Sequence, residues 1–385
     1  MTSASMFDLI VVGGGPAGSA AAITAVRKGA RVLLLERGRL PRHKVCGEFV
    51  SAESLELLGS LLHAGHLAVL TDGVRISRTR LYVDGRMIGA VVDPPAASIA
   101  RFDLDAALWE SAYLAGVDAR QQVTVREIGG RGPFRICSSD GKFESRAVIN
   151  ASGRWSILNG TTAVAEQKWV GLKAHFAESS PEASVDLYFF DGGYCGVQPV
   201  ARGRVNACAM VRADVASTLD EVFERHGALR KRSRGWELLT TPVSTSPLIF
   251  REPQPERDGI LLAGDAAGFV DPFAGDGISL ALRSGAMAAK CLTPFFAGET
   301  SLGQAIQQYR SAYQRSLLPV FRTSSQLRRL LTLPRPARRP LLLVLEKSPK
   351  IAEYLVRRTR KAPLEPGLPH HQHFTHIVAG KEKFY

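Results

Sequence analysis

Short apolar runs separated by glycine-rich turns set the pattern of the N-terminal third. Asp8-Leu-Ile-Val-Val12 has the length of a buried parallel strand. Small residues follow at helical spacing to Lys28, Gly29 supplies a stop, and Arg31-Val-Leu-Leu-Leu35 predicts a second strand ending at Glu36. The spacing next predicts a helix from Ser51 to about Leu62 and two strands between Arg80 and Val92 around an Asp84-Gly85 turn. Ala100–Gly116 returns to a helical pattern with a glycine stop, and Asp103 or Asp105 is placed to cap it. Val123 to Ile136 reads as strands around a Gly-Gly-Arg-Gly turn, and Ala147–Gly153 as a buried strand entering a tight turn.

From about 165 to 250 the pattern changes. Trp169–Phe176, Val185–Phe190 and Val205–Val211 are strand-like pieces between Gly or Pro turns, read as an antiparallel sheet that covers a substrate. Ile260–Ala263 is again a buried strand, and a helix is expected from Ile278 to about Leu292. From Leu302 the chain is helical and increasingly basic, broken by Pro334, Pro336, Pro340 and Pro349. The expected division is a discontinuous α/β domain (1–75, 96–164 and 255–300), an antiparallel domain (76–95 and 165–254) and a basic helical region (301–385).

The turn after the first strand carries the first chemistry. Gly13, Gly15 and Gly18 form G-x-G-x-x-G, with Pro16 and Ala17 inside it. Gly13 allows a sharp turn, Gly15 lets a pyrophosphate approach the main chain, and Gly18 lets helix and strand pack closely. A pyrophosphate there would sit on free N–H groups at the positive end of a helix. Glu36, at the tip of the second strand, is placed to accept hydrogen bonds from both hydroxyls of an adenosine ribose. This motif alone does not separate FAD from NAD. A second glycine-rich strand-to-helix turn, Gly264-Asp265 followed by Pro272, Gly275, Gly277 and Ile278, makes one large shared ligand the expectation. Asp265 is placed to meet a sugar-alcohol hydroxyl. Arg101 stands just before a helix, where a cation can reach a phosphate or a flavin edge. The basic loop Arg39–Glu48 leaves the first nucleotide unit and carries Cys46, read either as a redox or substrate-positioning thiol or as packing.

Composition adds little to the fold and more to the partners. The 385 residues, 45% hydrophobic and 22% charged, are those of an ordinary globular protein, with no apolar run of membrane-span length and no signal peptide. Five cysteines without C-x-x-C spacing suggest reduced thiols and a cytoplasmic setting. Net charge is +13, and twelve Lys or Arg against Glu346 and Glu353 lie between Phe321 and Lys361. Solvated arginine faces on terminal helices are the plain reading. Peripheral contact with an anionic membrane surface is the functional one, and nucleic acid is not an expected partner. His370, His371, His373 and His376 lack a Cys or carboxylate to complete a site, so no metal is expected.

The pairing of Gly13-Gly-Gly-Pro-Ala-Gly18 with Gly264-Asp265 and Pro272-x-x-Gly-x-Gly277 resembles the FAD-dependent monooxygenase superfamily with the para-hydroxybenzoate hydroxylase fold. Within it the chain is most similar to the geranylgeranyl reductase-like and flavin-dependent halogenase-like branch. The resemblance covers roughly residues 7 to 300. It implies an α/β, Rossmann-like FAD-binding domain of the glutathione-reductase type, interrupted by an antiparallel β-sheet substrate domain and followed by a helical tail. It also implies one FAD held extended. Gly13, Gly15, Pro16, Ala17, Gly18, Glu36 and Arg37 would meet its ADP half, and Arg101 and Cys46 would also touch the cofactor. Gly264 and Asp265 would meet the ribityl chain, with Pro272, Gly275, Gly277 and Ile278 beside the isoalloxazine. NADPH or NADH is the implied electron donor.

The chain departs from the branch patterns in places. It has Ala151-Ser-Gly-Arg-Trp-Ser156 where many hydroxylases have Asp-Gly, and Tyr194-Cys-Gly-Val-Gln-Pro199 where reductases have Tyr-x-Trp-x-Phe-Pro. Cys46-Gly47 matches the reductases' Cys-Gly-Gly loop, with Glu48 replacing the second glycine, and the halogenases' Trp-x-Trp-x-Ile-Pro is absent. Three functions are therefore carried forward. The first is a monooxygenase that hydroxylates or epoxidises an apolar small molecule, free or carrier-bound. The second is a C=C reductase acting on an isoprenoid or polyketide chain, and the third a non-enzymatic flavin-bound sensor or scaffold. Cys46, His175 and Tyr194, with Lys173, are the candidates for the substrate side.

Overall fold

The computed structural model describes residues 6–353 other than 155–157, 159–167, 249, 251, 270, 332, 349 and 352. Trp155, Ser156 and the histidines beyond residue 369 lie outside the described residues.

Valine, leucine and isoleucine fill both faces of the first sheet, which is why its strands read as continuous apolar runs. Its parallel strands lie in the order Ile260–Leu262, Gly141–Asn150, Phe7–Val12, Val32–Glu36 and Asp118–Gln121. Helices Pro16–Val26, Arg101–Leu114 and Gly277–Phe296 pack on one face over a core that includes Leu9, Val11, Leu34 and Ile149. A hairpin of Val125–Gly129 and Phe134–Ser138 covers the other face, where Ile10, Leu33, Val148 and Phe134 meet. Val12 is in register with both Leu35 and Asn150, and Asn150 with Leu262. The turns that begin at Gly13, Ala151 and Ala263 therefore open at one edge of the sheet. That edge is where ligands bind in open α/β sheets.

The second sheet runs Glu237–Leu238, Trp169–Ala177, Arg204–Arg212, Gly193–Ala201, Ser184–Phe190, Val74–Val83, Arg86–Ser98 and Phe49–Val50, with Val243–Thr245 also on Trp169–Ala177. It is antiparallel except where Ser184–Phe190 lies parallel to Val74–Val83, a departure from the all-antiparallel expectation. These two strands are not neighbours in the chain. The path between them passes through the first sheet, and so long a crossover permits a parallel pair. The Asp84-Gly85 hairpin forms with both residues at positive φ (49° and 75°). Its strands run further than expected, over 74–98 rather than 80–92, and Phe49–Val50 also joins this sheet.

Neither Asp103 nor Asp105 caps the helix at Arg101, whose N-cap is Ala100 without a side-chain bond. Asp105 is instead fully buried in the site described below.

Helices Leu302–Ser316, Leu318–Leu331 and Arg335–Lys347 complete the described chain. Tyr309 is fully buried and its hydroxyl donates to the Leu262 carbonyl at 2.7 Å, tying the first of them to the parallel sheet. The last helix lays Leu342 against Val83, Ile88 and Ala90. Arg338 clamps Asp84 with two 2.6 Å bonds, Arg335 meets Asp191 at 2.9 Å, and Arg86 pairs with Glu346. Part of the basic run is thus spent on the second sheet. Pro340, expected as a break, lies inside that helix, and Pro336 falls in its first turn.

Candidate active site

The first turn is shaped to take an anion. Gly13 has φ +106°, and a Cβ there would stand 2.4 Å from the Ala151 carbonyl oxygen. A Cβ on Gly18 would stand 1.7 Å from the Gly13 carbonyl oxygen, so Gly18 works by close packing. Gly15 is the N-cap of helix Pro16–Val26 and offers no side-chain cap, which leaves the first N–H groups of the helix bare. The atoms nearest to where its Cβ would be are Lys44 Nζ at 3.9 Å and Arg101 Nη2 at 4.0 Å. Asp105 fixes both cations, accepting Arg101 at 2.6 and 2.8 Å and Lys44 at 2.8 Å. Burial favours the neutral carboxyl of Asp105, but Arg101 and Lys44 together outweigh it and hold the group below the usual aspartate range. Two cations and a bare helix N-terminus exceed the one buried anion, which fits a pyrophosphate.

Glu36 closes the cradle. Its Oε2 accepts the Gly14 N–H at 2.7 Å, and Oε1 accepts the Gly38 N–H and Arg42, each at 2.8 Å. A carboxylate oxygen can accept more than one donor, so ribose hydroxyls retain a place there.

A cavity of about 650 Å³ runs from this cradle to the second sheet. Gly13, Gly15, Pro16, Ala17, Glu36, Arg37, Cys46, Arg101, Gly264, Asp265, Pro272, Gly275, Gly277, Ile278 and Tyr194 all line it. Three expected residues do not. Gly18 supports the turn from behind, and Lys173 and His175 are sealed in the second sheet, which corrects their reading as substrate-side groups. Asp265 lies 3.7 Å from Arg154 Nε, and the Arg154 guanidinium stacks over Phe269 at 3.9 Å. Gly275, with φ +76°, brings the Pro272 loop within 3.0 Å of the Phe49 ring, measured from its ideal Cβ.

Behind Cys46 lies a buried ionic cluster. Glu48 Oε1 accepts Lys173 Nζ at 2.9 Å and the Arg101 N–H at 2.9 Å, and Oε2 meets His175 Nε2 at 2.7 Å. Glu48, Lys173 and His175 are each no more than 1% exposed. Burial presses Glu48 towards the neutral form, yet the His175 bond and the Lys173 charge win and hold its carboxyl below the usual glutamate range. Glu48 has φ +61°, a conformation that glycine adopts without strain. The replaced second glycine of the Cys-Gly-Gly loop thus keeps the glycine backbone and adds a charge that knots the loop to the second sheet. The loop holds Cys46 in the cavity wall, and the Cys46 carbonyl accepts Asn206 Nδ2 at 3.0 Å.

The far end of the cavity is apolar, with Leu187, Met210, Leu248, Phe269 and Phe273 in its wall. The buried Tyr194 hydroxyl donates to Asp271 Oδ1 at 3.0 Å, which also accepts the Phe273 N–H at 3.2 Å. Arg328 Nε lies 3.5 Å from Asp271 Oδ2, and its guanidinium stacks over Phe250 at 3.7 Å. Sequence reasoning missed Lys44, Asp105, Asp271 and Arg328. The basic loop around Lys44 carried a signal. The others are placed by contacts between distant segments that no local pattern reports.

Residues 8–47 match the FAD dependent oxidoreductase family. Over 342 residues the chain is 27% identical to digeranylgeranylglycerophospholipid reductase 2 of Methanopyrus kandleri, covering 82% of this chain and 84% of the relative. It is also 27% identical over 317 residues to menaquinone reductase of Mycobacterium tuberculosis, covering 74% and 76%. Among solved structures, a geranylgeranyl bacteriochlorophyll reductase-like protein from Thermoplasma acidophilum superimposes with a TM-score of 0.70 at 20% identity, over 92% and 96% of the two chains. A myxobacterial chondrochloren halogenase gives 0.70 at 23% identity, over 81% and 80%. The fold is that of a flavoprotein with a Rossmann-like FAD-binding domain. The chain is similar to FAD-dependent oxidoreductases, with geranylgeranyl reductase-like relatives and flavin halogenases as structural neighbours.

Proposed function

We propose that the protein is a flavin-dependent C=C reductase acting on an isoprenoid chain, with NADPH or NADH as electron donor. One observation carries this reading. The cavity that begins at the pyrophosphate cradle ends in an apolar chamber, and relatives aligned along most of the chain are reductases named for digeranylgeranylglycerophospholipid and menaquinone. Bound FAD supplies the hydride chemistry. Lys44, Arg101 and the bare helix N-terminus would hold its phosphates, and Glu36 would take its ribose. The Cys46 loop, pinned by Glu48, walls the reacting end, and Leu187, Met210, Leu248 and Phe273 exclude water from the chain to be saturated.

Oxygenation, the leading expectation from sequence, starts from the same reduced cofactor, and what moves the reading away from it is the identity of these relatives. Among the described residues no helix is long and apolar enough to cross a membrane. A cytoplasmic enzyme meeting a membrane-borne substrate through its basic C-terminal helices is the setting that fits the reading. Geranylgeranyl-bearing lipid or menaquinone, offered anaerobically to the reduced enzyme, tests it. A product heavier by two hydrogens per double bond is expected, and an unchanged alkene overturns the proposal.

A further inference from the structure

Saturating a C=C bond takes a hydride and a proton, and the groups named so far account for the hydride side alone. Tyr194 lines the apolar end of the cavity, and its hydroxyl bonds to Asp271 at 3.0 Å. Both side chains are buried, at 6% and 5% exposure. Asp271 immediately precedes Pro272, so the pair stands between the Pro272–Gly277 loop and the substrate wall.

Resting on the reading above, we propose that Tyr194 donates the proton that completes saturation, and that Asp271 is the positioning residue that re-protonates it. One carbon of the double bond would receive the hydride that bound FAD supplies. The π electron pair takes the Tyr194 hydroxyl proton at the other carbon, so a C–H bond forms as the O–H bond breaks. As the Tyr194 O–H turns from Asp271 Oδ1 to the alkene, the Asp271 carboxylic acid turns its own O–H to the tyrosine oxygen and gives that proton to the tyrosinate, and a water proton then restores the acid. NAD(P)H, as the proposed donor, would supply the electrons that renew the reduced cofactor.

The surroundings suit each step. Burial raises the Tyr194 pKa well above its ordinary value, which favours re-protonation of a tyrosinate formed there. Burial also raises Asp271, favouring the neutral acid that this requires. The carboxylate left behind has Arg328 at 3.5 Å and the Phe273 N–H at 3.2 Å to receive it. Arg328 is 30% exposed in its side chain, which opens the Oδ2 side towards solvent. Among the described residues the titratable or charged groups facing the pair are Arg328 from helix Leu318–Leu331 and Cys208 from strand Arg204–Arg212. The Cys208 thiol is itself pushed far up by burial, so it stays neutral.

Infrared difference spectroscopy and single-turnover kinetics on the flavin-loaded protein test the relay. At neutral pH a protonated-carboxyl stretch is expected that disappears in Asp271→Asn and shifts in Tyr194→Phe. Tyr194→Phe should keep its flavin and its reduction by NAD(P)H while alkene saturation falls about 10²- to 10⁴-fold, the usual range for general-acid loss. Asp271→Asn should flatten the alkaline limb of the pH profile, which a merely structural role would not move. Absence of the carboxyl stretch, or saturation by Tyr194→Phe within twofold of the wild type, overturns the relay. A wild-type enzyme that saturates no isoprenoid overturns the reductase reading and the relay with it. That failure shows without any variant, so the two are told apart.

Discussion

Glu48, in the wall of the cavity, and Asp271, next to the wall residue Pro272, are two buried carboxyl groups driven in opposite directions. Burial is the largest influence on each. Glu48 meets Lys173 and His175 at full hydrogen-bond contact and stays charged, whereas Asp271 has Arg328 only at 3.5 Å and is pushed towards the neutral form. The signs of their pH linkage follow. Glu48 contributes stability that is present above the unfolded glutamate pKa and lost as pH falls through that value to the lower folded one. Asp271 contributes stability below the unfolded aspartate pKa that is lost as pH rises through its raised folded value. Glu48→Gln should therefore cost about 3–5 kcal/mol at neutral pH, because it leaves the Lys173 charge buried without a counter-ion. It should also flatten the acid-side loss, both read by urea denaturation across pH. Restoring the reductases' glycine, Glu48→Gly, relieves φ +61° but strands the same charge, so it should destabilise as well. Cys46 and Glu48 were legible as a loop motif. That the glutamate reaches Lys173 and His175, more than 120 positions away, was not, because nothing local announces such a contact.

At the scale of elements, the legible parts are those whose cause is local. The strand, turn, helix and second strand from Phe7 to Glu36 follow from apolar runs and glycines that lie side by side in the chain. Gly193–Ala201 was read as a degenerate signature rather than a strand, since its glycines and Pro199 are poor strand formers. The second sheet's neighbours on both sides hold it extended. The parallel junction depends on pairs such as Arg80 with Asp186, 106 residues apart. Gly285 also escaped notice. A Cβ there would sit 2.0 Å from the Ala17 carbonyl oxygen, so it sets how closely helices Pro16–Val26 and Gly277–Phe296 cross. Gly285→Val should push the helices apart, cost about 3 kcal/mol or more, and weaken flavin binding, read by denaturation and by flavin content on purification. Tyr309→Phe is the milder probe of the same region. Losing the 2.7 Å bond to the Leu262 carbonyl should cost about 1–2 kcal/mol in a denaturant melt with flavin content unchanged.

Over the whole molecule, a parallel sheet presents the cofactor cradle, a mixed sheet walls the far end of the cavity, and the C-terminal helices brace both. The fold class and the cradle could be read from two glycine-rich turns because each carries its own physical reason. The substrate end could be read only at Cys46 and Tyr194, since the rest is assembled from segments around positions 248, 271 and 328 that share no pattern. Charge followed the same division. The +13 total marked the C-terminal region, but only the structure shows that Arg335 and Arg338 are held by Asp191 and Asp84. The central claim is that the reduced cofactor hands hydride to an alkene rather than activating oxygen. Mixing the NAD(P)H-reduced enzyme with an isoprenoid substrate under strict anaerobiosis, and weighing the product by mass spectrometry, tests it most directly. The account predicts a saturated product without oxygen present, in step with reoxidation of the flavin. A product that forms only when oxygen is admitted, and that carries one of its atoms, would contradict it.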